Sequence, residues 1–240
     1  MKQTVQAYLA NQERLNKRRR ILRPMMRALG AFVFEVDVTG LENIPKTGAS
    51  ILMINHISII DPAVLTALVK DRFVISMAKI ETLDEWFART MLRLWGNFTI
   101  RRGEVDRRAL NSAVELLKHE HLLLIAPEGT RTPEGLREAK NGLAYIAYKT
   151  DAIIVPTAVC GAQDWSQRLK SFRRAYVNVS FGKPFRLKLA PNQALTRPIR
   201  KAMMREAMYQ LALTIPEAYA WQRGFYHDVE NATSTYLEFV

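Results

Sequence analysis

The sequence predicts an α/β fold: a single domain with a central, mostly parallel sheet flanked by helices, preceded by a basic amphipathic helical segment. Three observations lead there. Short β-rich apolar runs alternate with amphipathic stretches through residues 34–215, the pattern of strands joined by helical crossovers. The chain has 240 residues, 48% hydrophobic and 24% charged. It is long enough to bury a core without disulfide or metal staples, and this balance excludes a disordered or low-complexity chain. Residues 14–34 carry seven basic side chains and no acidic ones, with apolar residues at helical spacing.

The expected organisation is therefore 1–33 as basic amphipathic helices, 34–215 as the main domain and 216–240 as a tail. In the first segment Leu15, Leu22, Met25, Met26, Leu29, Phe32 and Val33 form the apolar stripe, and Pro24 is expected to interrupt or start a helix. Such a helix suits either a membrane surface or a core-packed position with a solvated basic back. Residues 34–38 read as a strand, 40–48 as a turn-rich loop with Pro45, and 49–54 as a buried strand. Asp61-Pro62 supplies an N-cap and a first-turn proline for a helix to residue 69. Residues 72–77 form the next strand, and Thr82 with Glu85 makes a capping box for a helix to about residue 95. Strands over 97–101, 121–125, 153–158 and 175–181 alternate with helices over 106–120, 141–149 and 193–214.

Charge narrows the partners. The chain has 35 Lys+Arg against 23 Asp+Glu, a net +12, which attracts nucleic acid, anionic lipid or phosphorylated small molecules. The single Cys160 excludes an intrachain disulfide framework and fits a reducing compartment. No apolar run reaches the ~18 residues of a spanning helix, and the first ten residues lack a signal-peptide core. The expectation is an intracellular protein, soluble or peripheral.

In open α/β sheets ligands bind beyond the carboxyl ends of strands, and three such ends carry chemistry. The strand over 50–54 runs into Asn55, His56 and, five residues on, Asp61. On a helix that spacing turns the two side chains apart by ~140°. If the chain folds back instead, Asp61 fixes the imidazole tautomer and frees the other nitrogen as a base. Asp61 equally suits a plain N-cap, and His56 a buried imidazole. Arg101 and Arg102 lie at the end of the short strand over 97–101, placed for a phosphate or for ion pairs with Glu104 or Asp106. The third end is Ala126-Pro127-Glu128-Gly129-Thr130-Arg131-Thr132. There Gly129 permits close backbone approach, Arg131 suits an anion, and Glu128 can orient it or accept from a hydroxyl. A serine-hydrolase elbow, a phosphate loop and a dinucleotide glycine signature are all missing. His119 and His121 lack zinc spacing, so no metal is expected, and Cys160 reads as a core residue.

These blocks, in this order, resemble the glycerolipid acyltransferase family, above all its bacterial 1-acylglycerol-3-phosphate acyltransferases. Asn55-His56 to Asp61 is similar to the first block, Gly96 to Arg102 to the second, Ala126 to Thr132 to the third, and Ile153 to Pro156 to the fourth. Met77 to Glu81 is similar to the family's Ala-Lys-x-Glu stretch. Ala126, Thr132, Thr157 and Arg101 depart from the commoner residues, which bears on acceptor and chain length. The resemblance implies acyl transfer from acyl-CoA or acyl carrier protein to 1-acylglycerol-3-phosphate, giving phosphatidic acid, without cofactor or acyl-enzyme. Glycerol-3-phosphate or another lysophospholipid is the alternative acceptor. His56 would be the base and Asp61 its orienting partner, with Lys79 or a backbone N–H at the oxyanion. Arg102 and Arg131 would hold the phosphate, with Glu128, Gly129 and Thr130 completing the substrate site. A peripheral enzyme on the cytoplasmic face, held to anionic phospholipid by residues 14–33, follows. The rival is a nucleic-acid or membrane binder using residues 168–174 and Arg197, Arg200, Lys201 and Arg205. No nucleic-acid motif is visible, so no nucleic-acid partner is expected.

Overall fold

The computed structural model describes residues 4–79, 90, 94–100 and 105–240, with side chains described outside 77–79, 99–100 and 105–106. Two helices open it, α1 (Val5–Ala10) and α2 (Gln12–Val33), followed by β1 (Phe34–Thr39), β2 (Ser50–Ile54), α3 (Asp61–Leu68), β3 (Val74–Lys79) and β4 (Phe98–Ile100). Then come α4 (Val105–Lys118), β5 (Leu122–Ile125), α5 (Gly142–Thr150), β6 (Ile153–Cys160), α6 (Trp165–Lys170), β7 (Ala175–Phe181), β8 (Phe185–Leu187) and α7 (Arg197–Thr214). A 3-10 segment, Glu217–Tyr226, and the strand β9 (Leu237–Phe239) close the chain. The helix expected from Thr82 lies largely outside the described residues.

The sheet runs β1-β7-β6-β2-β5-β3-β4, with β8 and β9 antiparallel beyond β6. β2 is central and parallel to both neighbours, β5 and β6. All five residues of β2 are buried, and their alternation feeds two cores: Ile51 and Met53 on one face, Leu52 and Ile54 on the other. The first face is covered by α4, α5 and α7, the second by α3. Because β5, β2 and β6 point the same way side by side, their carboxyl ends meet at one edge, where ligands bind in such sheets. The single-domain, mostly parallel expectation holds. The antiparallel β8–β9 extension was not legible, since each strand is three residues long.

Pro24 does not interrupt a helix: it sits inside α2, which runs unbroken through it. Tertiary anchors in the two turns before it offset the lost backbone hydrogen bond. The buried Arg19 donates to the Trp95 carbonyl at 2.8 Å, the Gly96 carbonyl at 3.0 Å and the Tyr8 hydroxyl at 2.6 Å. One turn later, Arg23 donates to the carbonyls of Lys70 and Arg72 and stacks 4.4 Å over Phe73. The expected apolar stripe of α2 divides in two. Leu15, Leu22, Met26 and Val33 are partly buried, whereas Met25, Leu29 and Phe32 are 54, 66 and 80% exposed and are joined on that face by Ile21, outside the expected stripe, at 66%. Among the described residues no helix is long and apolar enough to cross a membrane.

Candidate active site

β2 ends at the shared carboxyl edge of the sheet, and the next residue does structural work. Asn55 is buried; its Oδ1 accepts from the Val159 N–H at 2.7 Å and its Nδ2 donates to the Val159 carbonyl at 2.9 Å. The β2–β6 ladder stops at Ile54, opposite Thr157, so a side chain continues it where the backbone turns away. His56 therefore leaves the sheet on a clamped residue. Its own carbonyl accepts from the Thr132 N–H at 2.7 Å, and 23% of its side chain remains exposed.

Between His56 and Asp61 the chain folds into a tight loop rather than a helix. Asp61 is the first residue of α3, and Ile60, not Asp61, is the N-cap. Asp61 is wholly buried, and its Oδ2 accepts from His56 Nδ1 at 3.0 Å, the Ile57 N–H at 2.9 Å and the Ser58 N–H at 2.8 Å. The expected cap instead draws the loop back over itself and meets the imidazole. Burial pushes the Asp61 pKa up, while these three donors oppose that by favouring the carboxylate. With Nδ1–H committed to Asp61, Nε2 is the nitrogen free to take a proton.

The turn after β5 supplies the second carboxyl. Glu128 is buried; one oxygen accepts from the Thr132 hydroxyl and the other has no partner. Burial pushes its pKa up to about 7, against bonds from the Thr132 hydroxyl and the Arg137 backbone and the attraction of His56. Gly129 has φ +74°, and a Cβ there would meet Lys140 Nζ at 3.2 Å. Thr130 and Arg131 are exposed, and among the described residues Arg131 is in no salt bridge. Thus the structure brings together His56, Asp61 and Glu128, with Gly129, Thr130 and Arg131 at the rim. Lys79 ends β3, but its side chain lies outside the described residues, as does Arg102 altogether. Burial pushes the Cys160 thiol up to about 12, which disfavours a thiolate there. Among the described residues no three His, Cys, Asp or Glu side chains cluster as a metal site.

Two residues escaped the sequence reading. Lys140 is placed over Gly129 because its backbone N–H bonds to the Pro127 carbonyl at 3.0 Å. Gln222, fully buried in the tail, accepts from Asn55 Nδ2 at 3.2 Å, and its carbonyl accepts from the Leu136 N–H at 2.9 Å. Neither lies in a strand-end motif, and no local pattern marks them.

The acyltransferase family model matches residues 35–160, more than half of the chain. The chain belongs to the acyltransferase family. The match contains the His56–Asp61 loop and the Glu128 turn, and stops before the tail that holds Asn55 through Gln222. A 1-acyl-sn-glycerol-3-phosphate acyltransferase of Borreliella burgdorferi is 33% identical over 128 residues, covering 52% of this chain and 51% of that protein. One from Bacillus subtilis is 27% identical over 175 residues, covering 73% and 85%. The chain thus spans about half the length of the Borreliella relative. The crystal structure of the 1-acyl-sn-glycerophosphate acyltransferase PlsC from Thermotoga maritima aligns with TM-score 0.55 and 23% identity, covering 79% of this chain and 77% of that one. That likeness shows the same fold.

Proposed function

We propose that this acyltransferase moves a fatty acyl group from an acyl thioester, acyl-CoA or acyl carrier protein, to the free hydroxyl of 1-acylglycerol-3-phosphate. The observation that carries the reading is the His56 Nδ1 to Asp61 Oδ2 bond at the open end of the central strand. His56 Nε2 takes the acceptor hydroxyl proton as that oxygen attacks the thioester carbonyl carbon. The tetrahedral intermediate collapses, the C–S bond breaks, and the departing thiolate recovers the proton from His56. Asp61 stabilises the imidazolium in between, and base catalysis of this kind contributes ~10²–10⁴-fold. Arg131 and Lys140, with Arg102, are assigned to the acceptor phosphate; holding it fixes the hydroxyl against His56. Relatives named for this acceptor support the choice.

The protein works at the anionic cytoplasmic leaflet, with Ile21, Met25, Leu29 and Phe32 of α2 in the lipid interface and its basic residues on the headgroups. Mass spectrometry of products tests the chemistry, using both donor classes against 1-acylglycerol-3-phosphate, glycerol-3-phosphate and neutral lysophospholipids. Phosphatidic acid from wild type and none from His56→Ala is the expected result. Product from another acceptor replaces the substrate assignment, and undiminished product from His56→Ala overturns the mechanism.

A further inference from the structure

The basic run that sequence alone left to a rival partner, residues 168–174, has an unusual shape. α6 ends in a Schellman motif: the Phe172 N–H bonds to the Leu169 carbonyl at 3.0 Å and the Arg173 N–H to the Arg168 carbonyl at 2.9 Å. The left-handed position of this motif ordinarily holds Gly or Asn. Here it holds Phe172, at φ +54°. The side chain is 100% exposed, and Leu169 beside it is 44% exposed. A bulky aromatic is strained in that conformation and gains nothing from the fold. From Trp165 to Arg174 there is no acidic residue, while Arg168, Lys170, Arg173 and Arg174 surround the ring in sequence.

The sheet places this loop. β1 and β7 start side by side, Phe34 opposite Ala175, and the Arg174 guanidinium donates to the Phe34 carbonyl at 2.8 Å. Phe34 also packs against Trp165, ring centroids 6.2 Å apart. The loop is thereby joined to the last turn of α2, two residues from the exposed Phe32. β7 is antiparallel to β6, with Cys160 opposite Asn178. The start of β7 therefore lies at the same sheet edge as the ends of β6 and β2, the edge from which His56 emerges.

We propose that Phe172 and the basic residues around it form a second membrane-docking element, which inserts the ring into an anionic phospholipid bilayer beside the exposed stripe of α2. Two attachment points along one sheet edge hold the crevice of His56 against the lipid surface, where an acyl-chain acceptor resides. An exposed aromatic ringed by cations is the composition of an interfacial anchor. The inference rests on the membrane reading of α2 and adds an element outside it.

Cys160 is the sole cysteine and is buried, so Phe172→Cys and Phe32→Cys can each carry one environment-sensitive fluorophore. The labelled full chains are mixed with phosphatidylglycerol/phosphatidylcholine vesicles containing brominated lipid. A blue shift and quenching at both positions is expected. A response at 32 alone overturns the proposal and leaves the α2 reading standing; a response at neither overturns both. A response at 172 to single-stranded oligonucleotide and not to vesicles also overturns it, in favour of nucleic acid. Phe172→Asn keeps the left-handed turn, so it retains or raises the melting temperature. It should weaken partitioning onto the same vesicles by roughly tenfold or more, given the transfer energy of a phenyl side chain. Wild-type partitioning by Phe172→Asn refutes the insertion.

Discussion

Glu128→Gln separates the cost of a buried charge from every other pH effect in this protein. The Glu128 pKa rises from an ordinary 4.5 to about 7 through burial. Between those values the folded protein holds a proton that the unfolded chain has released. The stabilisation is full below the unfolded value and is lost as pH rises through the folded one. A gap of about 2.5 units corresponds to about 3 kcal/mol in total. Between about pH 5.5 and pH 8 roughly 2 kcal/mol of it is lost. At about 2–4 °C per kcal/mol for a chain of this size, the melting temperature of Glu128→Gln should gain about 4–8 °C on wild type across that interval. Reading the difference between the proteins removes His121. Burial holds its pKa down to about 4, so its contribution has the opposite sign and is lost as pH falls from the ordinary 6.5. The difference also cancels the pH-independent penalty of placing an amide at the unpartnered carboxyl oxygen. Calorimetric or fluorescence melts at matched ionic strength give the curves. Parallel profiles for the two proteins would refute the argument that Glu128 is neutral in the folded state at mildly acidic pH.

Three further outcomes test the geometry. Asp61→Asn should lower kcat by about 10²–10⁴-fold while vesicle binding stays the same; full turnover would detach Asp61 from the imidazole's role. Asn55→Ala leaves both the N–H and the carbonyl of Val159 unpaired and should cost about 2–4 kcal/mol in denaturant unfolding. Gln222→Ala, which leaves Asn55 bound to Val159, should cost about 1 kcal/mol; equal losses would show that Asn55 is not the clamp. Gly129→Ala forces a Cβ onto φ +74° and should lower stability by about 1–2 kcal/mol. An unchanged melt would mean that the turn relaxes out of the left-handed region.

Elements whose causes are local were legible in residue pattern alone. Short apolar runs in β2, β5 and β6, too brief for helices and rich in β-branched residues or leucine, read as strands buried on both faces. The helices between them carry a 3.6-residue period. The polar residues that end such strands, His56 and Glu128, therefore had to share a sheet edge once β2, β5 and β6 were parallel. Tertiary structure decided whether the pieces meet. The five-residue gap from His56 to Asp61 is compatible with separation on a helix or contact across a loop. Two backbone amides on Asp61 Oδ2 select contact. Pro24 breaks an isolated helix, but α2 runs unbroken through it, with Arg19 and Arg23 just before it bonded to carbonyls some fifty to eighty residues away. Lys140 and Gln222 take their meaning from neighbours distant in the chain, a turn backbone and a clamped asparagine, and Phe172 from the backbone turn that ends its own helix. Periodicity reports what one residue asks of water, and a site is made by what residues ask of each other after the chain has folded.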